Sequence, residues 1–133
     1  MELGQINMWA VLLAAGLKFV LGTAWYSPAL FAGVWLREVG LTREISAVAP
    51  GPMLLSAALG GIAAFTLAVI ITLADLDFLS SLALGGLLGV GVMAALTAPQ
   101  FAFEDRSFRL YAIYAGQYVA ELLLMAAIIG GWR

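Results

Sequence analysis

The sequence predicts an all-α integral membrane bundle: four transmembrane helices, with a short interfacial helix after the first. Three observations carry this. Of 133 residues, 64% are hydrophobic and 11% charged, with a mean hydropathy of +1.05, far outside the range of soluble domains. Four apolar runs are long enough to cross a hydrocarbon core of about 30 Å as helices. The breaks between them are too polar or too proline-rich to face lipid.

The first run covers about Ile6–Tyr26. Met1-Glu2 lacks the positive stretch of a signal peptide and the apolar run outlasts such a segment, so it is read as a retained span. The others cover about Met53–Ala74, Leu79–Phe101 and Phe108–Trp132, making a single domain over 1–133. Ser27-Pro28, Pro50-Gly51-Pro52, Asp75-Leu76-Asp77 and Glu104-Asp105-Arg106 mark the breaks. Helices satisfy their own backbone in lipid, which open sheets cannot do.

After the first span, Ser27 suits a cap and Pro28 a first helical position, while Leu30, Phe31, Val34, Trp35 and Val39 gather on one side before Gly40. This predicts a short helix in the membrane interface. Pro99 is expected to kink the third span, with Gln100 satisfying a freed carbonyl. The Glu104-Asp105-Arg106 run is expected to cap the fourth.

Arg37, Arg43, Arg106 and Arg109 fall in the first and third loops, against Arg133 on the opposite side. The positive-inside tendency then puts those loops in the cytoplasm and both termini outside it. Trp9, Trp25, Tyr26, Trp35 and Trp132 lie near span ends, where amphipathic rings favour the headgroup level.

Apolar helices associate in lipid through close packing at small residues. Ser56, Gly60, Ala64, Ala68 and Thr72 recur every fourth residue in the second span, as do Ser81, Gly85 and Gly89 in the third and Ala112, Gly116 and Ala120 in the fourth. Some of these stripes are expected to face another chain, a second copy or a different membrane subunit.

The chain contains no cysteine and no histidine. That removes disulfides, thiolate or imidazole metal sites and Ser–His or Cys–His catalysis, and no cofactor is expected. A charge of −2 from few groups offers no basic patch for nucleic acid. Asp75 and Asp77 alone make a weak cation site.

Two ions lie at membrane depth. Lys18 is roughly 12–14 Å from either end of its span at 1.5 Å per residue, and Glu121 is similarly central in the fourth. An isolated ion there costs roughly 2.5–3.5 kcal/mol, and pairing offsets that cost, so Lys18 and Glu121 are expected to meet. Tyr111, Tyr114, Gln117 and Tyr118 extend a polar-aromatic face beside Glu121, and Asn7 lies further out on much the same face as Lys18.

Trp25-Tyr26-Ser27-Pro28-Ala29-Leu30-Phe31, followed by Trp35 and Gly40-Leu41-Thr42, resembles a bacterial membrane family catalogued as domain of unknown function seventeen-sixty-one. Phe103-Glu104-Asp105-Arg106-Ser107, Leu110, Ile113, Gly116, Tyr118 and Gly131-Trp132-Arg133 are similar to its last loop and helix. The resemblance implies four spans in a bacterial inner membrane and brings no activity or catalytic residue. Gln100 and Ala102 depart from its more polar approach to the loop.

Two functional expectations follow. One is a non-catalytic membrane subunit that packs through its small-residue faces, within a homo-oligomer or a larger complex. The alternative is a small oligomeric transporter or channel using Lys18, Glu121, Gln117, Tyr114 and Tyr118, since intramembrane ionisable groups often mark solute or proton paths. Enzymatic activity is not expected, because a carboxylate or lysine would act with almost no supporting groups.

Overall fold

The computed structural model describes residues 3–39 and 50–132. Four of its helices are long and apolar enough to cross a membrane. A 3₁₀ turn at Leu3–Gln5 leads into α1, Met8–Trp25. The short helix α2 is Ala32–Val39, α3 is Pro50–Leu73, α4 is Phe78–Phe103 and α5 is Phe108–Gly131. Gly40, the Gly40-Leu41-Thr42 segment, Arg43 and Arg133 lie outside the described residues.

Each boundary has a local cause. Asn7 caps α1 by accepting from the N–H groups of Trp9 and Ala10, at 3.1 and 3.3 Å, and its amide donates to the Trp132 carbonyl at 3.0 Å. The start of α1 and the end of α5 are thereby clasped at one face. Asn7 thus spends its side chain on this clasp.

The short helix begins later than Pro28. Ser27 donates its hydroxyl back to the Ala24 carbonyl at 2.7 Å instead of capping forward, and residues 27–31 form a turn. Phe31 closes it by bonding back to the Trp25 carbonyl at 3.1 Å, and its ring lies 4.9 Å from that of Trp25.

The turns after α3 and α4 are built alike. In each, an aspartate sits in the left-handed region, Asp75 and Asp105 both at φ 53°. The following N–H groups of Leu76 and Arg106 reach back to Ile71 and Phe101 carbonyls at 3.0 Å, completing Schellman stops. One residue later Asp77 and Ser107 cap the next helix, accepting from Ser80 at 2.8 Å and Leu110 at 3.0 Å. The cap of α5 is therefore Ser107, not the acidic pair before it; Arg106 instead lies 4.7 Å over the Phe101 ring.

Within α4, residues Leu87–Ala94 form a π-helix, a wider turn that frequently marks functional segments. Pro99, further along, offers no N–H to the preceding turn. Two carbonyls just upstream accept side-chain hydroxyls: that of Met93 from Thr97 at 2.6 Å and that of Ala94 from Tyr111 at 2.7 Å. Gln100 does not take that role and reaches Glu104 at 3.3 Å.

The core gathers Val11 and Ala14 from α1, Ala64, Leu67, Ala68 and Ile71 from α3, and Met125, Ala126 and Ile129 from α5. Helix α5 packs against α1, α3 and α4, whereas α3 and α4 diverge after their shared turn and scarcely touch.

Small residues set the close approaches. A Cβ at Gly85 would lie 2.8 Å from the Leu122 carbonyl oxygen, and one at Gly89 2.9 Å from the Val119 Cα. Gly116 lies under Trp25, at 3.2 Å by the same measure. Gly60, Ala64 and Ala68 are buried, Ala120 is half-buried, and Ser56 and Ala112 are exposed. A four-residue repeat drifts about 40° per step around a helix, so the Ser56 and Ala112 ends of the two stripes turn away from the contact, while Thr72 at the other end of the α3 stripe stays buried.

Candidate functional site

Lys18 and Glu121 meet. Lys18 Nζ lies 3.5 Å from Glu121 Oε1, with side chains 17% and 7% exposed. Two glycines make the geometry possible. The stem of Lys18 crosses α3 at Gly60, where a Cβ would be 3.1 Å from Lys18 Cδ, and a Cβ at Gly22 would be 3.1 Å from Glu121 Oε2. Gly22 is absent from the sequence expectations, although its position one turn beyond Lys18 on α1 was a readable signal.

A polar chain continues from the pair. Gln117 donates to Glu121 Oε2 at 3.0 Å and accepts from the Tyr26 hydroxyl. The Tyr26 ring lies 4.7 Å from that of Trp35, and Trp35 donates its indole N–H to the Tyr114 hydroxyl at 3.1 Å. Glu38 on α2 accepts from Ser107. Helix α2 is thus held against the start of α5 by Trp35 and Glu38.

The anticipated tyrosine face divides. Tyr114 joins Trp35, Tyr111 turns to α4, and Tyr118 lines a cavity beside Glu121. Trp35 and Trp25 are structural donors as well, the Trp25 N–H reaching the Ile113 carbonyl at 2.9 Å. Trp9 and Trp132 are exposed at 72% and 48%.

Two cavities adjoin the pair. One of about 570 Å³ lies in the crevice between the diverging α3 and α4, walled by residues such as Leu59, Ala63, Ile70, Leu88 and Val92, with α5 behind. The other, about 540 Å³, lies between α1, α2 and the start of α3, walled by Thr23, Tyr26, Trp35 and Pro52. Lys18, Ser56 and Glu121 line both. Residues 52–56 wall the second cavity and residues 56–70 the first, so the two follow one another along α3 with the ion pair at their junction.

Among the described residues, no group of three His, Cys, Asp or Glu side chains could hold a metal ion. The polar equipment is one ammonium, one carboxylate, an amide and hydroxyls.

These features define a four-span helical membrane protein with an intramembrane ion pair between two cavities. The model of the family described as Protein of unknown function (DUF1761) matches residues 9–130, and the chain belongs to that family. No curated protein and no solved structure matches it.

Proposed function

We propose that the protein is a small, non-enzymatic membrane transporter in which a proton or small solute passes between the two cavities at the Lys18–Glu121 pair. The observation that carries this reading is that Lys18, Ser56 and Glu121 line both cavities. Intramembrane ions are costly and tend to mark such paths. The accessory-subunit reading ranks second because Gly60, Gly85, Gly89 and Gly116 all pack against side chains or backbone of this same chain, leaving those positions no vacancy for another subunit. Assembly into an oligomer, a bacterial inner-membrane location and cytoplasmic placement of α2 belong to the same proposal.

The test is proton entry into liposomes holding the purified protein, followed by an internal pH-sensitive dye under an imposed potential. Wild type should exceed empty liposomes, and the double swap Lys18→Glu with Glu121→Lys should lose flux while keeping its thermal transition. Wild-type flux at the empty-liposome level, or full flux in the swapped protein, would count against passage through this pair.

A further inference from the structure

At the cavity between α3 and α4 the carboxylate is more fully engaged than the ammonium. Both Glu121 oxygens are engaged, Oε1 by Lys18 and Oε2 by Gln117. The donors are not exhausted: Lys18 carries three N–H bonds and faces one partner at 3.5 Å. The hydroxyls of Ser56, Thr66 and Tyr118 line the cavity and have no hydrogen-bond partner among the described residues. Those hydroxyls accept as well as donate, but Lys18 only donates, so a guest that engages its remaining N–H bonds brings acceptors, and one with negative charge complements it.

The rest of the chamber is apolar. Leu59, Ala63, Leu67, Ile70, Leu88 and Val92 form its walls, and its volume of about 570 Å³ falls within the usual range for small-molecule sites, about 300–1,000 Å³. Because α3 and α4 scarcely touch, the crevice opens sideways between two spans, where a guest with a hydrocarbon tail enters from lipid.

We propose that the cavity between α3 and α4 binds an amphipathic monocarboxylate, its carboxylate on Lys18 and its tail between those two helices, with one proton taken up by Glu121. This deepens the transporter reading and rests on it. The charge balance requires the proton. Before binding, Lys18 and Glu121 neutralise each other; an incoming carboxylate that takes over Lys18 leaves Glu121 as an uncompensated buried anion unless it is protonated. The sum is entry of RCOO⁻ and H⁺ to give a Lys18 ammonium–carboxylate pair and a neutral Glu121, with no net change of charge.

The groups facing Glu121 leave it as the proton acceptor. From α1 come Lys18 and, through Gln117, Tyr26 at its end; from α5 itself comes Tyr118. Helices α3 and α4 contain no titratable side chain.

The experiment measures equilibrium binding of radiolabelled octanoate to the full chain in lipid nanodiscs, with empty nanodiscs as background and octyltrimethylammonium and acetate as comparison probes. Saturable octanoate binding is expected, about tenfold tighter for each unit the pH is lowered, as uptake of one proton requires. Glu121→Gln should bind with little pH dependence, and Lys18→Met should lose binding. Val92→Trp alters an exposed wall residue and leaves the pair intact; it should also lose binding with the fold retained. Absence of saturable octanoate binding, preference for octyltrimethylammonium, or unchanged binding in Lys18→Met would each overturn the proposal. Octanoate binding with no dye response above empty liposomes, either under the imposed potential or on adding octanoate outside, would uphold the site and defeat the passage reading, and proton flux without octanoate binding would do the reverse.

Discussion

Lys18 crosses α3 over Gly60, with its Cδ 3.1 Å from the place a Cβ at that glycine would occupy. The absence of a side chain at residue 60 is what lets an ammonium on α1 reach a carboxylate on α5. Gly60→Leu should therefore displace Lys18 from Glu121, destabilise the bundle by about 1–3 kcal/mol through overpacking and reduce liposome flux. Gly61→Leu, whose Cβ would meet nothing within 4 Å, should do neither. Thermal unfolding in detergent and the dye assay check both effects.

The same reasoning grades the glycines of α4. A Cβ at Gly89 would press on Val119 backbone at 2.9 Å, whereas one at Gly91 meets nothing within 4 Å. Gly89→Ala should cost about 1–3 kcal/mol and Gly91→Ala should be neutral or slightly stabilising through helix propensity. Parallel unfolding curves for the two variants decide it.

Tyr111 donates to the Ala94 carbonyl five residues before Pro99. Tyr111→Phe removes the donor and leaves that carbonyl without this bond in an apolar setting, a loss of about 1–3 kcal/mol. Pro99→Ala in the same chain would restore a backbone N–H for the Ala95 carbonyl, four residues back, and should therefore not recover this loss. A double-mutant cycle on the unfolding midpoint measures the coupling.

Acid should weaken the turn between α3 and α4. The Ser80 N–H that Asp77 accepts holds its carboxyl below the usual carboxylate range, and the Ser80 side chain adds to this. Since the folded value is the lower one, the stabilisation is complete above the unfolded carboxylate pKa of about 3.9 and disappears as pH falls through the folded value. Stability should be level from neutral pH down to about 5 and decline below 4. Asp77→Asn, which caps without a charge, should remove this share of the decline, as unfolding curves across that interval would record.

Hydropathy and ion spacing made much of this readable. Four apolar runs became four helices because backbone bonding in lipid allows little else, and Lys18 met Glu121 because a shared depth and opposite charge leave few partners. What escaped depended on local competition. Ser27 could cap forward or bond backward, and the backward bond to Ala24 moved the start of α2 to Ala32. The π-helix of Leu87–Ala94 has no polar signature, since a change in backbone register leaves hydropathy untouched. The two cavities were invisible for a related reason: they arise where α3 and α4 fail to pack, and no residue type encodes that separation.

That separation also decides what a molecule in the crevice would touch. The Asp75–Asp77 turn ties α3 to α4 at one end, with a Schellman stop on one side and a side-chain cap on the other, and beyond it the two spans part like the arms of a wishbone. On the α4 arm Leu88, Val92 and Met93 face the cavity, all within the π segment. Anything lodged in the fork therefore rests against widened helical turns on one arm and regular α-helix on the other.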